Sequence, residues 1–239
     1  MTDESFWDSP ADQPVARHGE GRLTVVRAPF PGPEGILPAH DAQRAGEFTE
    51  AFGTIDAVLE DLGAVTATEA IPMDTRADLD RVRVGCWGNV TEICDPALAN
   101  TPGMFSVDAH VHALAERFPD AVIIASATID HNPRYGAWSI LHPSGLDVFA
   151  EFWHDEGDWQ IDGEPADVID VFGIDPAHAE AEGIEANAAP ETINWENLAR
   201  LACARVYPID RRGMTASVFR VRHTKEVTRE MEETWIERR

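Results

Sequence analysis

Apolar residues recur along this chain with two periods, and the period changes several times. Leu23 to Val26 is a short apolar run that reads as a strand, followed by a Pro/Gly loop. Ala45, Phe48 and Phe52 then recur at helical spacing. Ile55, Val58, Leu59 and Leu62 follow the i, i+3, i+4, i+7 pattern and predict a second helix, with Gly53-Thr54 as the break before it and Gly63 as its end. Ala64 to Ile71 reads as a strand. In Arg81 to Trp87, Val82, Val84 and Cys86 alternate with Arg81 and Arg83, the period of a half-buried strand. A helix is predicted from Val107 to Phe118, with Ser106 as its cap and Pro119 as its stop.

The clearest unit is an antiparallel meander. Val122 to Ile129 is apolar on both faces, as a central strand is. Ala137 to Leu141, Leu146 to Trp153 and Trp159 to Ile161 follow, separated by the turns His142-Pro143-Ser144-Gly145 and Asp155-Glu156-Gly157. Helices resume with Pro165 opening one and Gly173 closing it, and Asp175-Pro176 capping the next. Residues 192–206 carry an apolar side. A strand from Ala216 to Val221 leads to a last helix with Val227, Met231 and Trp235 on its inner face. This grouping predicts an α+β fold: a mostly antiparallel sheet, built around a four-strand meander at about 121–162 and flanked by helices. Residues 1–20, rich in Asp, Pro, Ser and Gly, read as a flexible acidic tail, and 21–239 as a single domain because no Pro/Gly/Ser-rich linker divides them.

Charge changes the picture more than length does. The 239 residues hold 43 acidic and 19 basic side chains, a formal net charge of −24, and Lys225 is the one lysine. Such a surface repels nucleic-acid backbones and anionic membranes and attracts cations or basic partners. No apolar run approaches the roughly 18 residues of a membrane span. The polar start MTDESFWDSPADQP has no secretory pattern, so a cytoplasmic location is expected. Cys86, Cys94 and Cys203 form no CxxC pair and read as small core residues.

Candidate chemistry is sparse. Asp108-Ala109-His110-Val111-His112 resembles the first-strand metal motif of amidohydrolases. On a strand, His110 and His112 would share a face and bind one zinc ion. On the predicted helix they point about 200° apart and cannot chelate together. A second group is the acidic rim of the meander, with Glu151, His154, Asp155, Glu156, Asp158, Asp162 and Glu164 placed for acid–base work or a hard cation. Solvated turn residues are the plainer reading of that rim. Third, Arg81 and Arg83 share one strand face and Arg220 and Arg222 share another; guanidinium forks on rigid strands suit a carboxylate or phosphate, with the chain's own acids as the ordinary partners. There is no phosphate loop, no GxSxG and no HExxH, and no cofactor is expected.

RVRVGCWGNVTEICDPALA from Arg81, FRVRHTKEVTREMEETW from Phe219, and FPDAVIIASATIDH between them resemble a family of small acidic streptomycete proteins known only as a domain of unknown function. The resemblance implies an actinobacterial source and assigns no site residue. On charge and missing motifs, the leading expectation is a non-enzymatic binding protein, immunity- or inhibitor-like, for a basic protein partner. The alternative is a small metal-assisted hydrolase using a His/Asp/Glu site. Self-association into a homodimer through the charged C-terminal helix is a further expectation.

Overall fold

The computed structural model describes residues 5–99, 107–129, 135–153, 159–185 and 188–236. Its strands are β1 (Gly19–Arg27), β2 (Ile55–Thr66), β3 (Arg81–Trp87), β4 (Val90–Cys94), β5 (Ala121–Ile129), β6 (Tyr135–His142), β7 (Leu146–Trp153), β8 (Trp159–Asp162) and β9 (Thr215–His223). They form one sheet in the order β2-β9-β3-β4-β1-β5-β6-β7-β8, and every neighbouring pair is antiparallel. The helices are α1 (Ala42–Glu50), α2 (Val107–Arg117), α3 (Pro165–Phe172), α4 (Pro176–Ala181), α5 (Trp195–Val206) and α6 (Lys225–Trp235). The fold is α+β.

Helices cover both faces of the sheet, which is why its central strands are apolar on both sides. Leu23, Val82, Val84, Ile123 and Ala125 point to one face and share a core with Phe48 of α1, Val111 of α2 and Met231 and Trp235 of α6. Val26, Trp87, Val122, Ile124 and Val148 point to the other and pack with Val168 of α3, Ala179 of α4 and Leu198 of α5. On this second face α3 lies on β7, and α5 lies on β5 and β6. The apolar stripe of α6 is consumed by the protein's own core, with Trp235 fully buried, while Lys225, Glu226, Arg229 and Glu233 face solvent.

Helix ends follow the sequence. Asp175, Asn194 and Thr224 each accept a backbone N–H in the first turn of α4, α5 and α6. Gly173 closes α3 in the left-handed conformation at φ 58°.

The predicted helix at Ile55–Leu62 is instead strand β2. The pairing with β9 slips at three places, between Ile55 and Ala57, Val58 and Glu60, and Asp61 and Gly63. Each slip inserts a residue, so Ile55, Val58 and Asp61 lie opposite His223, Val221 and Phe219 on one face. A strand bulged in this way shows period three, and the sequence imitates a helix. The strand expected over 64–71 is the end of β2, which stops at Thr66. β4 was not expected at all. Ser106, the expected cap of α2, lies outside the described residues.

Within the expected tail, the Trp7 indole N–H donates to Asp80 at 2.7 Å and the Ala16 N–H donates to the Trp235 carbonyl at 2.7 Å. Among the described residues, no helix is long and apolar enough to cross a membrane.

Candidate anion pocket

The pleat and register of four strands assemble a polar patch in the middle of an otherwise apolar face. Arg83 lies opposite Cys94, Cys94 opposite Arg22, and Arg22 opposite Ser126. In the next row Gly85 lies opposite Glu92, and Glu92 opposite Thr24. Residues level with one another in neighbouring strands share a face, so Arg83, Glu92 and Arg22 all point toward the side that carries α5. Among the described residues, no α-helix lines this part of the sheet. Residues from the segments 67–73 and 209–211 wall it instead, leaving a cavity of about 420 Å³. A second cavity of about 220 Å³ adjoins it, sharing Arg22, Ile209 and Arg211.

Glu92 is the centre of the patch, with 2% of its surface exposed. Its carboxylate lies 2.6 Å from Arg211 Nη1, 3.9 Å from Arg83 Nη2 and 3.9 Å from Arg22 Nε. Three guanidiniums therefore surround one buried carboxylate. The Arg211 contact is an ion pair off the line of the N–H, because Glu92 Oε2 has no hydrogen-bond partner. Arg22 Nε and Arg211 Nε are buried and likewise make no hydrogen bond. Burial is the largest single influence and works against the charge of Arg22 and of Arg211, but Glu92 and the other neighbouring groups together outweigh it and hold both pKa values above the ordinary guanidinium value.

The surroundings fix these side chains. Arg211 lies over the rings of Trp87 and Tyr207, with centroid distances of 5.7 and 5.4 Å, and donates to the Tyr207 hydroxyl. Trp87 reaches its place by lying across Gly85, where an added Cβ would sit 2.0 Å from the indole ring. Arg83 donates to the Glu69 carbonyl and to Cys94 Sγ. Arg22 also pairs with Glu20 at 2.5 Å; that carboxylate is 55% exposed, at the mouth. Burial pushes the Cys94 and Cys203 thiols up to about 11, so both are neutral at pH 7. Beneath the pocket, on the opposite face, Asp95 and His223 form a fully buried pair at 3.0 Å. Asp95 also accepts from the Thr54 hydroxyl at 2.6 Å and the Ala97 N–H at 2.8 Å.

The residues singled out by sequence fall elsewhere. His110 is buried against Phe52, with ring centroids 5.8 Å apart, and burial lowers its pKa. His112 is half exposed on another side of α2, so the two imidazoles are not brought together. His112 instead meets Asp108, one turn back, and Asp147 of β7, at 3.4 and 3.3 Å. Their ligand atoms lie within 4.8 Å of one another, a donor set that suits a divalent cation. Glu151 is buried and accepts the Tyr135 hydroxyl at 2.7 Å. His154, Asp155, Glu156 and Asp158 lie outside the described residues. Arg220 and Arg222 pair across the sheet edge with Glu60 and Asp56 of β2, and Arg81 pairs with Asp78.

Of the two arginine pairs read from the sequence, only Arg83 enters the cavity. Arg22, Glu92 and Arg211 carried a signal that went unread. Glu92 is the charged residue inside Val90–Cys94, a strand whose five residues are all buried.

No curated protein and no solved structure matches the chain. A family model described as "Family of unknown function (DUF6333)" matches residues 6–238, and the chain belongs to that family.

Proposed function

We propose that this protein binds a small anionic molecule in the arginine pocket and works as a binding protein. The observation that carries the reading is the triad of Arg22, Arg83 and Arg211 on Glu92, at the wall of a cavity and with two guanidinium Nε atoms unpartnered. Stability does not account for such a group. Replacing buried ion pairs by well-packed apolar residues is commonly neutral or stabilising. Guanidiniums held in place, Arg22 and Arg83 on strands and Arg211 over two aromatic rings, are suited to planar and tetrahedral oxyanions. The cavity volume falls within the range of small-molecule sites.

The test is thermal unfolding of the protein and its Arg22→Gln variant against a panel of small carboxylates, sulfonates and phosphates. A ligand at 100 times its Kd stabilises by about 2.7 kcal/mol. For a chain of this size that raises Tm by about 5–10 °C. The account expects such a rise for at least one anion class, reduced in the variant. A panel with no effect, or with the same effect on both proteins, contradicts it.

The metal-assisted alternative attaches to Asp108, His112 and Asp147 rather than to His110, because among the described residues these three converge. It requires stoichiometric divalent metal in protein purified without chelators, lost in His112→Ala. Metal-free protein that takes up none on titration rules it out.

A further inference from the structure

We propose that the anion is a compact dianion, the phosphate group of a monoester, seated in the cavity against the wall that Arg22, Arg83 and Arg211 share. This rests on the anion-pocket reading above and names the ligand class for it.

The first argument is charge. Three guanidiniums stand against one interior carboxylate, which leaves an excess of two positive charges, with Arg83 and Arg211 buried and Arg22 40% exposed toward the mouth. A monocarboxylate neutralises one of them. A phosphate monoester, which carries about −1.5 to −2 at pH 7, neutralises both. Glu20 does not fill this role. Its carboxylate is more than half exposed at the mouth, where it pairs with Arg22, and the incoming phosphate takes its place.

The second argument is geometry. All three guanidiniums reach the same carboxylate within 3.9 Å and all three arginines line one cavity, so the positive charge is gathered on one stretch of its wall. A dicarboxylate with separated ends needs two centres spaced apart. A phosphate puts several acceptor oxygens on one centre and presents them in several directions. Arg211 is 93% buried on the cavity wall, so a ligand there meets a guanidinium already stripped of most of its water.

The third argument is the rest of the cavity. Ala67, Ala70, Ile71, Met73, Pro96 and Ile209 give it apolar walls beyond the arginines. Ile209 is 40% exposed and leaves apolar surface for a ligand to cover. A bare inorganic ion would leave most of about 420 Å³ unfilled. A phosphate carrying a ring or a short apolar body uses both parts.

Calorimetric titration at pH 7.5 with phenyl phosphate, benzenesulfonate and benzoate tests this. The first is largely a dianion; the second has similar tetrahedral oxygens and a fixed single charge; the third is a planar monoanion. The expected result is phenyl phosphate binding at least tenfold tighter than either, with the preference shrinking severalfold in Arg22→Gln and in Arg83→Gln. Similar affinities for all three overturn the dianion and leave the anion pocket standing. Tighter binding of benzoate overturns it also, in favour of a carboxylate ligand. If none of the three binds, or if binding is unchanged in both variants, the inference fails together with the pocket reading. The wild-type ratio alone decides the inference if a variant fails to fold.

Discussion

Arg211 is the nearest counter-charge of a carboxylate that water does not reach. Replacing it with Met removes the 2.6 Å contact and leaves Glu92 with two guanidiniums at 3.9 Å. Breaking a buried pair from one side is costly, and Arg211→Met is predicted to lose about 3 kcal/mol in urea unfolding. A loss within 0.5 kcal/mol would mean that the triad is solvated and Glu92 is not a buried charge. Asp95 makes a different prediction. Burial alone would raise its pKa, but His223 and the hydrogen bonds from Thr54 and Ala97 outweigh burial and lower it. The folded value therefore lies below the unfolded value of about 3.9. The stability that this group contributes is complete above about pH 4 and is lost as pH falls through the depressed folded value. Asp95→Asn is predicted to be less stable at pH 7 and to show a shallower loss of stability below pH 4 than the wild type. Parallel acid limbs in the two proteins would remove Asp95 from the account.

At the scale of elements, Gly85 links the fold to the pocket. Its missing side chain lets Trp87 lie flat along the sheet, and Trp87 is one of the two rings beneath Arg211. Gly85→Ala is predicted to displace the indole, to cost about 1–3 kcal/mol by overpacking, and to weaken anion binding along with stability. Unchanged binding in a folded Gly85→Ala protein would show that the ring does not position Arg211. The same elements explain what the sequence could reveal. β3 was legible because Val82, Val84 and Cys86 alternate cleanly, and α6 because Val227, Met231 and Trp235 recur at helical spacing. β2 was misread because three bulges turn a period of two into a period of three. β4 was missed because five residues bury both faces and leave no alternation to read. That omission also hid the site, since Glu92 becomes a buried charge only once Val90–Cys94 is a central strand. Arg83 was visible as a strand arginine. Its meeting with Arg22 and Arg211 at Glu92 depends on contacts across the sheet, and no local pattern reports those. The convergence of His112 with Asp147 is likewise tertiary.

At the scale of the whole molecule, a formal charge of −24 surrounds a pocket that is locally positive. The two fields act over different distances. The Debye length shrinks from about 30 Å at 0.01 M salt to about 8 Å at 0.15 M. Long-range repulsion of an anionic ligand therefore fades with salt, while the buried Arg83 and Arg211 close to it are screened much less. Association of phenyl phosphate is predicted to speed up over that salt range. A basic protein partner, which the net charge alone suggests, would show the opposite sign, its association slowing as salt rises. The measurement that bears most directly on the central claim is a nitrogen-edited spectrum of the arginine side chains, titrated with phenyl phosphate at pH 7.5. The account predicts that the Nε–Hε signals of Arg22 and Arg211 shift and saturate together, while those of the exposed Arg212 and Arg229 stay in place. Stationary signals from Arg22 and Arg211, or shifts confined to exposed arginines, would contradict it.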